Sequence, residues 1–197
     1  MIKRCFDFLL ACLGLIILAP FLLIIAILIT LDSKGPVLFI QPRVGMHQKD
    51  FNIFKFRTMY TQSDKKGLLT IGNRDARITK VGYFLRRYKL DEFPQLLNIV
   101  LGTMSFVGPR PELRTYVNLY PEEDSVLFTV KPGITGLASI AFRNEVELLK
   151  KAENPEEYFI QCIIPEKNRL NKIYIKNQSL GLDIKIIAST IIKVIMK

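Results

Sequence analysis

A single histidine and three cysteines are all that this 197-residue chain holds of the residues that build most zinc and thiol sites. Cys5, Cys12 and Cys162 form no spaced set, so neither a disulfide framework nor a zinc site is indicated. Cys5 and Cys12 lie in or beside an apolar run and read as buried small hydrophobes. His47 stands among Gly45, Gln48, Lys49 and Asp50. No serine or cysteine motif accompanies it, so it reads as a loop residue and not as a catalytic base. Acidic residues are few as well, 18 against 28 Lys and Arg, for a net charge of +10. That excess leaves three partner classes open: nucleic acid, anionic lipid and a phosphorylated substrate. No internal repeat or low-complexity tract interrupts the chain.

Charge of either sign is missing from Phe8 to Leu31. The run is too long for a signal-peptide core and no small-x-small cleavage site follows it. As one straight helix it would reach about 36 Å, enough to cross a bilayer core of about 30 Å. Two features favour a re-entrant hairpin over a crossing. Pro20 divides the run into Phe8–Ala19 and Phe21–Leu31, and proline removes a helix donor and crowds the preceding turn. Both flanks are basic, with Lys3 and Arg4 before the run and the cationic remainder after it, and basic flanks prefer the cytoplasmic side. The expected division is therefore residues 1–32 as a membrane anchor and 33–197 as a domain at the cytosolic face. At the far end, residues 180–197 repeat apolar side chains at 180, 184, 187, 191 and 195, with Lys185, Ser189 and Lys193 mostly between them. That is an amphipathic helix, either packed on a core or laid in the membrane interface.

Between these ends, Val37–Gln41 and Phe51–Arg57 read as strands of a short β-hairpin. Ala76–Tyr88 reads as a helix with Ile78, Val81, Phe84, Leu85 and Tyr88 on one face. Asp91–Leu101 reads as a second helix, N-capped by Asp91 and stopped by Gly102. Further helices are expected over Pro111–Tyr120 and Pro155–Ile175. The fold class is α+β and mainly helical: a re-entrant helix hairpin, a small domain with a β-hairpin, and amphipathic interfacial helices.

The residues that point to chemistry begin with Asp91-Glu92. A lone Asp-Glu pair is most simply a cap. Two ionised carboxylates are also suited to Mg²⁺, and an aspartate can attack phosphorus to form an acyl phosphate. The surroundings favour chemistry. Arg86 and Arg87 precede the pair. Arg110 follows between two prolines that stiffen its backbone for a fixed anion-binding fork. Lys55 and Arg57 alternate on one strand face, and Lys131-Pro-Gly-Ile-Thr-Gly136 forms a tight turn with exposed donors. The set matches a diphosphate substrate with a metal.

The ordered series Lys55-Phe-Arg-Thr-Met59, Leu90-Asp-Glu-Phe-Pro-Gln-Leu96, Met104-Ser-Phe-Val-Gly-Pro-Arg-Pro111, Lys131-Pro-Gly-Ile-Thr-Gly136 and Arg143-Asn144 follows an apolar segment broken at a proline. Over nearly its whole length the chain resembles the small, PglC-like, monotopic polyprenyl-phosphate phosphoglycosyl transferases among the bacterial sugar transferases. The resemblance implies a ping-pong reaction. Asp91 attacks the β-phosphorus of a UDP-sugar, UMP leaves, and a polyprenyl phosphate takes the phosphosugar from the aspartate. It makes Glu92 the partner that helps hold Mg²⁺. Arg86 and Arg110 become phosphate ligands, with Lys55, Arg57, Thr135 and Arg143 in the substrate site. It also implies the re-entrant hairpin, placement at the cytoplasmic face of a bacterial inner membrane, and a donor among N-acetylated hexosamine derivatives. Membrane lipid is then a partner and nucleic acid is not, while association with a second copy stays open.

The chain departs from this pattern at three points. Ala19-Pro20 stands for Ser-Pro, Thr103 for an aspartate, and Leu137 for a tryptophan. Two rivals remain at this stage, a membrane-tethered nucleic-acid-binding module and a non-catalytic scaffold. Neither gives the acidic pair a use.

Overall fold

The computed structural model describes residues 2–61, 63 and 75–195, the side chains of 194 and 195 excepted. The chain opens with helix α1, Ile2–Asp32, rich in leucine and isoleucine and carrying Pro20 inside it. This differs from the expected hairpin: one helix continues through Pro20, so the lost donor does not divide it. Its two ends are nonetheless held by the same folded unit. Near the start, the Arg4 guanidinium donates to the carbonyls of Ile99 and Val100, and the Phe106 amide donates to Asp7 Oδ1. At the other end, the Val81 amide donates to Asp32 Oδ2 at 2.9 Å.

Between those ties one side of α1 packs inward through Ala11, Ile25 and Ile29. The other side leaves Leu9, Leu13, Ile16, Ile17, Leu23, Ile24 and Leu31 exposed. Cys5 is exposed and Cys12 half-buried, so these two are not the enclosed hydrophobes expected of them, and Cys162 is exposed as well.

Strands β1 (Leu38–Val44) and β2 (Asp50–Phe56) pair antiparallel, as expected, in register from Leu38 opposite Phe56 to Val44 opposite Asp50. His47 and Gln48 both take left-handed backbone at the turn, the geometry a tight hairpin needs. His47 is thus a loop residue. Helix α2 begins at Lys80, not Ala76, because Thr79 caps it: its hydroxyl accepts from the Gly82 amide. It ends at Tyr88. Leu85 is buried, while Phe84 and Tyr88 lie outward, ring on ring at 4.7 Å between centroids. The expected single inward face is therefore only partly inward.

Helix α3 is Gln95–Leu101, ended by Gly102 at φ 83°. It packs Leu96 and Ile99 with Ala11 of α1, Ile53 of β2 and Met104. Strand β3 (Ser105–Val107) runs parallel to β4 (Gly133–Thr135). Between them, Gly108 and Gly133 come so close that a Cβ on Gly133 would sit 2.1 Å from the Gly108 nitrogen. The expected Pro111–Tyr120 helix is only the single turn α4, Arg114–Val117.

After β4 come short helices α5 (Leu137–Ala141), α6 (Glu145–Lys151) and α7 (Pro155–Tyr158). A π-turn at Phe159–Ile163 leads into α8, Ile164–Lys176, which carries Pro165 in its first turn. Proline supplies no donor to the turn before it, which accounts for the widened turn there. The last helix is α9, Leu180–Ile195, and residues 196 and 197 of the expected helix lie outside the described residues. Its inward residues are Asp183 and Ile186, with Leu182 and Ile187 half-covered. Ile184, Ile191 and Ile192 face out, so the expected stripe does not coincide with the buried one.

Candidate active site

Lys89 adopts left-handed backbone, φ 58°, and ends α2. A single 3-10 turn, Leu90–Glu92, follows before α3. Asp91 therefore does not cap a continuous helix, which corrects the expectation: Pro94 occupies the N-cap position of α3. The acidic pair is carried on a turn between two helices, where both side chains can meet groups from other elements.

The partner for Glu92 comes from the segment after β3. The Gly108 amide donates to Thr135 O and the Gly133 amide to Pro109 O, fixing the start of Gly108-Pro-Arg-Pro111. Arg110 then reaches Glu92 with both terminal nitrogens, Nη1 to Oε2 at 3.0 Å and Nη2 to Oε1. Arg43 of β1, which sequence reasoning did not single out, braces the same segment. It donates to Pro111 O at 3.2 Å and pairs with Glu112 at 3.5 Å.

The electrostatics divide the two carboxylates. Burial by itself raises Glu92, but Arg110 and then Lys55 outweigh it and hold the group far below the usual carboxylate range. Asp91 moves the other way, raised first by burial and second by the negative Glu92, against the pull of Lys55, Lys89 and Arg86. Its Oδ1 is enclosed without a hydrogen-bond partner. Burial lowers Lys55 to about 8, with Glu92 opposing. Burial also lowers Arg86, while Asp91 raises it. Asp91 is thus an acceptor short of a partner, beside a neighbour whose charge is already compensated.

A cavity of about 790 Å³ opens beside this pair. Arg86, Glu92, Arg110, Thr135 and Arg143 line it, so five of the residues expected in the site share one cavity. The Arg86 and Arg143 guanidinium groups make no hydrogen bond to the described residues. Thr135 is committed to a hydroxyl contact with Thr190 of α9 at 2.7 Å. Asp91 and Lys55 are not among the lining residues, and both act electrostatically on neighbouring groups of the pair. Arg57 is elsewhere. Its guanidinium is buried at the C-terminal end of α1 and donates to the carbonyls of Ile29, Ser33 and Lys34. Arg57 stands two residues from Lys55 in sequence, but carbonyls at and just past the end of α1 claim it.

Among the described residues no group of three His, Cys, Asp or Glu side chains is arranged to hold a metal. The pair itself is compatible with an oxygen-coordinated cation. Asp91 offers an unpartnered oxygen, and a carboxylate bound by arginine keeps spare lone pairs.

A model of the family described as bacterial sugar transferase matches residues 1–197. The chain belongs to that family. It is 40% identical to the UDP-glucose:undecaprenyl-phosphate glucose-1-phosphate transferase of Escherichia coli (strain K12), over 98% of this chain and 40% of that protein. It is 37% identical to the UDP-N-acetylgalactosamine-undecaprenyl-phosphate N-acetylgalactosaminephosphotransferase of Aeromonas hydrophila, over 96% of this chain and 43% of that one. A sugar transferase of Bacillus subtilis (strain 168), EpsL, described as uncharacterized, is 40% identical over 99% of this chain and 88% of its own length. The chain thus spans about two fifths of the length of the first two relatives.

Proposed function

We propose that this protein transfers a phosphosugar from a UDP-sugar to a polyprenyl phosphate, releasing UMP, with Asp91 as the covalent nucleophile. The observation that carries the reading is the enclosed, unpartnered oxygen of Asp91 among Lys55, Arg86 and the Glu92–Arg110 pair. An Asp91 oxygen attacks the β-phosphorus. A P–O bond forms to the carboxylate as the bridging P–O bond breaks, and UMP departs with the electron pair. An oxygen of the polyprenyl phosphate then attacks the same phosphorus, releasing the Asp91 carboxylate and leaving a polyprenyl diphosphosugar.

Arg86, Arg110 and Arg143 neutralise the diphosphate oxygens as charge moves to the leaving group. Lys55 opposes the rise that burial imposes on Asp91. Asp91 and Glu92 would hold Mg²⁺, which supplies further charge neutralisation at the transferred phosphoryl group. The relatives' names include glucose and N-acetylgalactosamine donors, and an N-acetylated hexosamine derivative is the donor proposed here.

The membrane placement follows from α1. It is the one described helix long and apolar enough to cross a bilayer. Yet Arg4 and Asp7 at its start and Asp32 at its end are bonded to one folded unit. A helix that crossed would carry one end away from that unit. We therefore read α1 as held at the cytoplasmic face without crossing, with its outward leucines and isoleucines in lipid. Exposed Tyr83, Phe84, Leu97, Leu101, Ile184 and Ile191 are the apolar contacts of α2, α3 and α9 with the interface.

The test is intact-protein mass spectrometry after incubation with a UDP-sugar and no acceptor. A phosphosugar adduct is expected on the wild type and none on Asp91→Asn. UMP release at the wild-type rate by Asp91→Asn overturns the role of Asp91.

A further inference from the structure

The helix α8 is built inside out. Its buried residues after Ile164 are Lys167, Asn168, Asn171 and Tyr174, at the spacing of one helix face, while Ile173 is 40% exposed. A polar face turned inward requires polar partners, and most of this one has them. Lys167 pairs with Glu145 at 2.5 Å and Glu112 at 3.5 Å. Asn168 Nδ2 donates to Asp124 Oδ2 at 2.7 Å, and Tyr174 donates to Asp183 Oδ1 at 2.7 Å.

Asn171 is the exception. It is 6% exposed and lines the large cavity, and its amide makes no hydrogen bond to the described residues. It also differs from Tyr116, another buried wall residue, whose hydroxyl is sealed off without a partner. The Asn171 amide is not sealed in this way. A side-chain amide presents one acceptor and two donors in a plane, the complement of another planar donor–acceptor edge.

We propose that Asn171 is a recognition residue for the uncharged part of the donor. Its amide pairs with a planar donor–acceptor edge beyond the diphosphate: the imide edge of the pyrimidine or the acetamido group of an N-acetylated sugar. The proposal rests on the reading of the cavity as a nucleotide-sugar site. The arginines of the cavity supply charge and read phosphate in any sugar nucleotide. Asn171 lies in the same cavity on a different element and offers direction without charge, which is what discrimination between uncharged groups needs.

Calorimetric binding of UMP and of UDP-N-acetylglucosamine to the full chain tests this without requiring turnover. The variants are Asn171→Ser and Asn171→Asp, with Arg169→Ala on the outer face of α8 as a control. A loss of about tenfold for both ligands assigns Asn171 to the pyrimidine; the same loss for UDP-N-acetylglucosamine alone assigns it to the acetamido group. Arg169→Ala changes neither. Unchanged affinity for both ligands in both Asn171 variants overturns the proposal and leaves the amide to the small space of about 30 Å³ behind the wall. If the wild type binds but forms no adduct, the covalent mechanism fails while Asn171 is still read. If it binds neither ligand, both fall together.

Discussion

Arg110 grips both carboxylate oxygens of Glu92, eighteen residues before it in the chain. The Glu92 side chain is 11% exposed and that of Arg110 33%. Breaking a buried pair by removing one partner costs about 3–5 kcal/mol, because the survivor keeps its desolvation. The partial exposure of Arg110 reduces this to about 2–3 kcal/mol for Arg110→Ala, readable in denaturant unfolding. The pH dependence carries a sign. Glu92 is held below its ordinary value, so its stabilising contribution is complete above about pH 4.3 and is lost as pH falls toward the folded value. Arg110→Ala should flatten that acid-side loss, since the depressing charge has gone.

Asp91 is the opposite case, and its raised pKa makes a prediction that a purely structural aspartate would not. An acid whose folded value lies above its unfolded value costs stability wherever it is ionised. Asp91→Asn is therefore expected to melt a few degrees above wild type at pH 8 without divalent cation. The gain should shrink on acidification and vanish at about pH 3, well below the unfolded value, where Asp91 is protonated in both states. Mg²⁺ at about ten times its dissociation constant should raise wild-type stability by about 1.4 kcal/mol and leave Asp91→Asn unmoved. Equal Mg²⁺ stabilisation of both proteins would remove Asp91 from the metal site.

Lys55 sets the alkaline limit. Burial brings its ammonium down to about 8, so the cation that opposes the Asp91 burial cost is progressively lost above that pH. UMP release should fall as pH rises through about 8. Arginine keeps its charge at such pH values, so Lys55→Arg should push the fall to higher pH. Lys55→Met should be slow throughout and lack the transition. A pH–rate profile of the three proteins decides it; an alkaline limb unchanged in Lys55→Arg assigns the limb to another group.

The positions of the site residues were partly legible in the sequence. The hairpin strands and the stop at Gly102 followed from local chemistry, because turns, caps and alternation are local. Glu92 with Arg110 was legible as one acidic and one basic motif, but their bidentate contact depends on the Gly108–Gly133 approach, which is long-range. Arg43 and Asn171 gave no signal: one is a strand arginine beside a proline, the other a single asparagine in a charged helix. The α1 hairpin was inferred from Pro20, and the helix runs through it. What ties both ends to one side is Arg4, Asp7 and Asp32 bonding the domain, and those contacts have no local signature.

Arg57 shows what such long-range claims do to a motif. In the run Lys55-Phe-Arg57 the two cations look equivalent, yet only Lys55 adjoins the acidic pair. The Arg57 guanidinium donates to Lys34 O at 2.7 Å and Ser33 O at 2.6 Å, with Ile29 O at 3.3 Å. It closes the end of α1, where helix carbonyls lack partners. Arg57→Ala should therefore cost about 1–3 kcal/mol of stability, because the part-buried Ser33 and Lys34 carbonyls lose their donor. The KM for the donor in the folded fraction should not move. Arg86→Ala should do the reverse, raising that KM or lowering kcat with little change in the unfolding midpoint. Measured side by side, the two variants separate a cation that holds the end of α1 from one proposed to hold phosphate. A raised donor KM in a fully folded Arg57→Ala would return Arg57 to the substrate site.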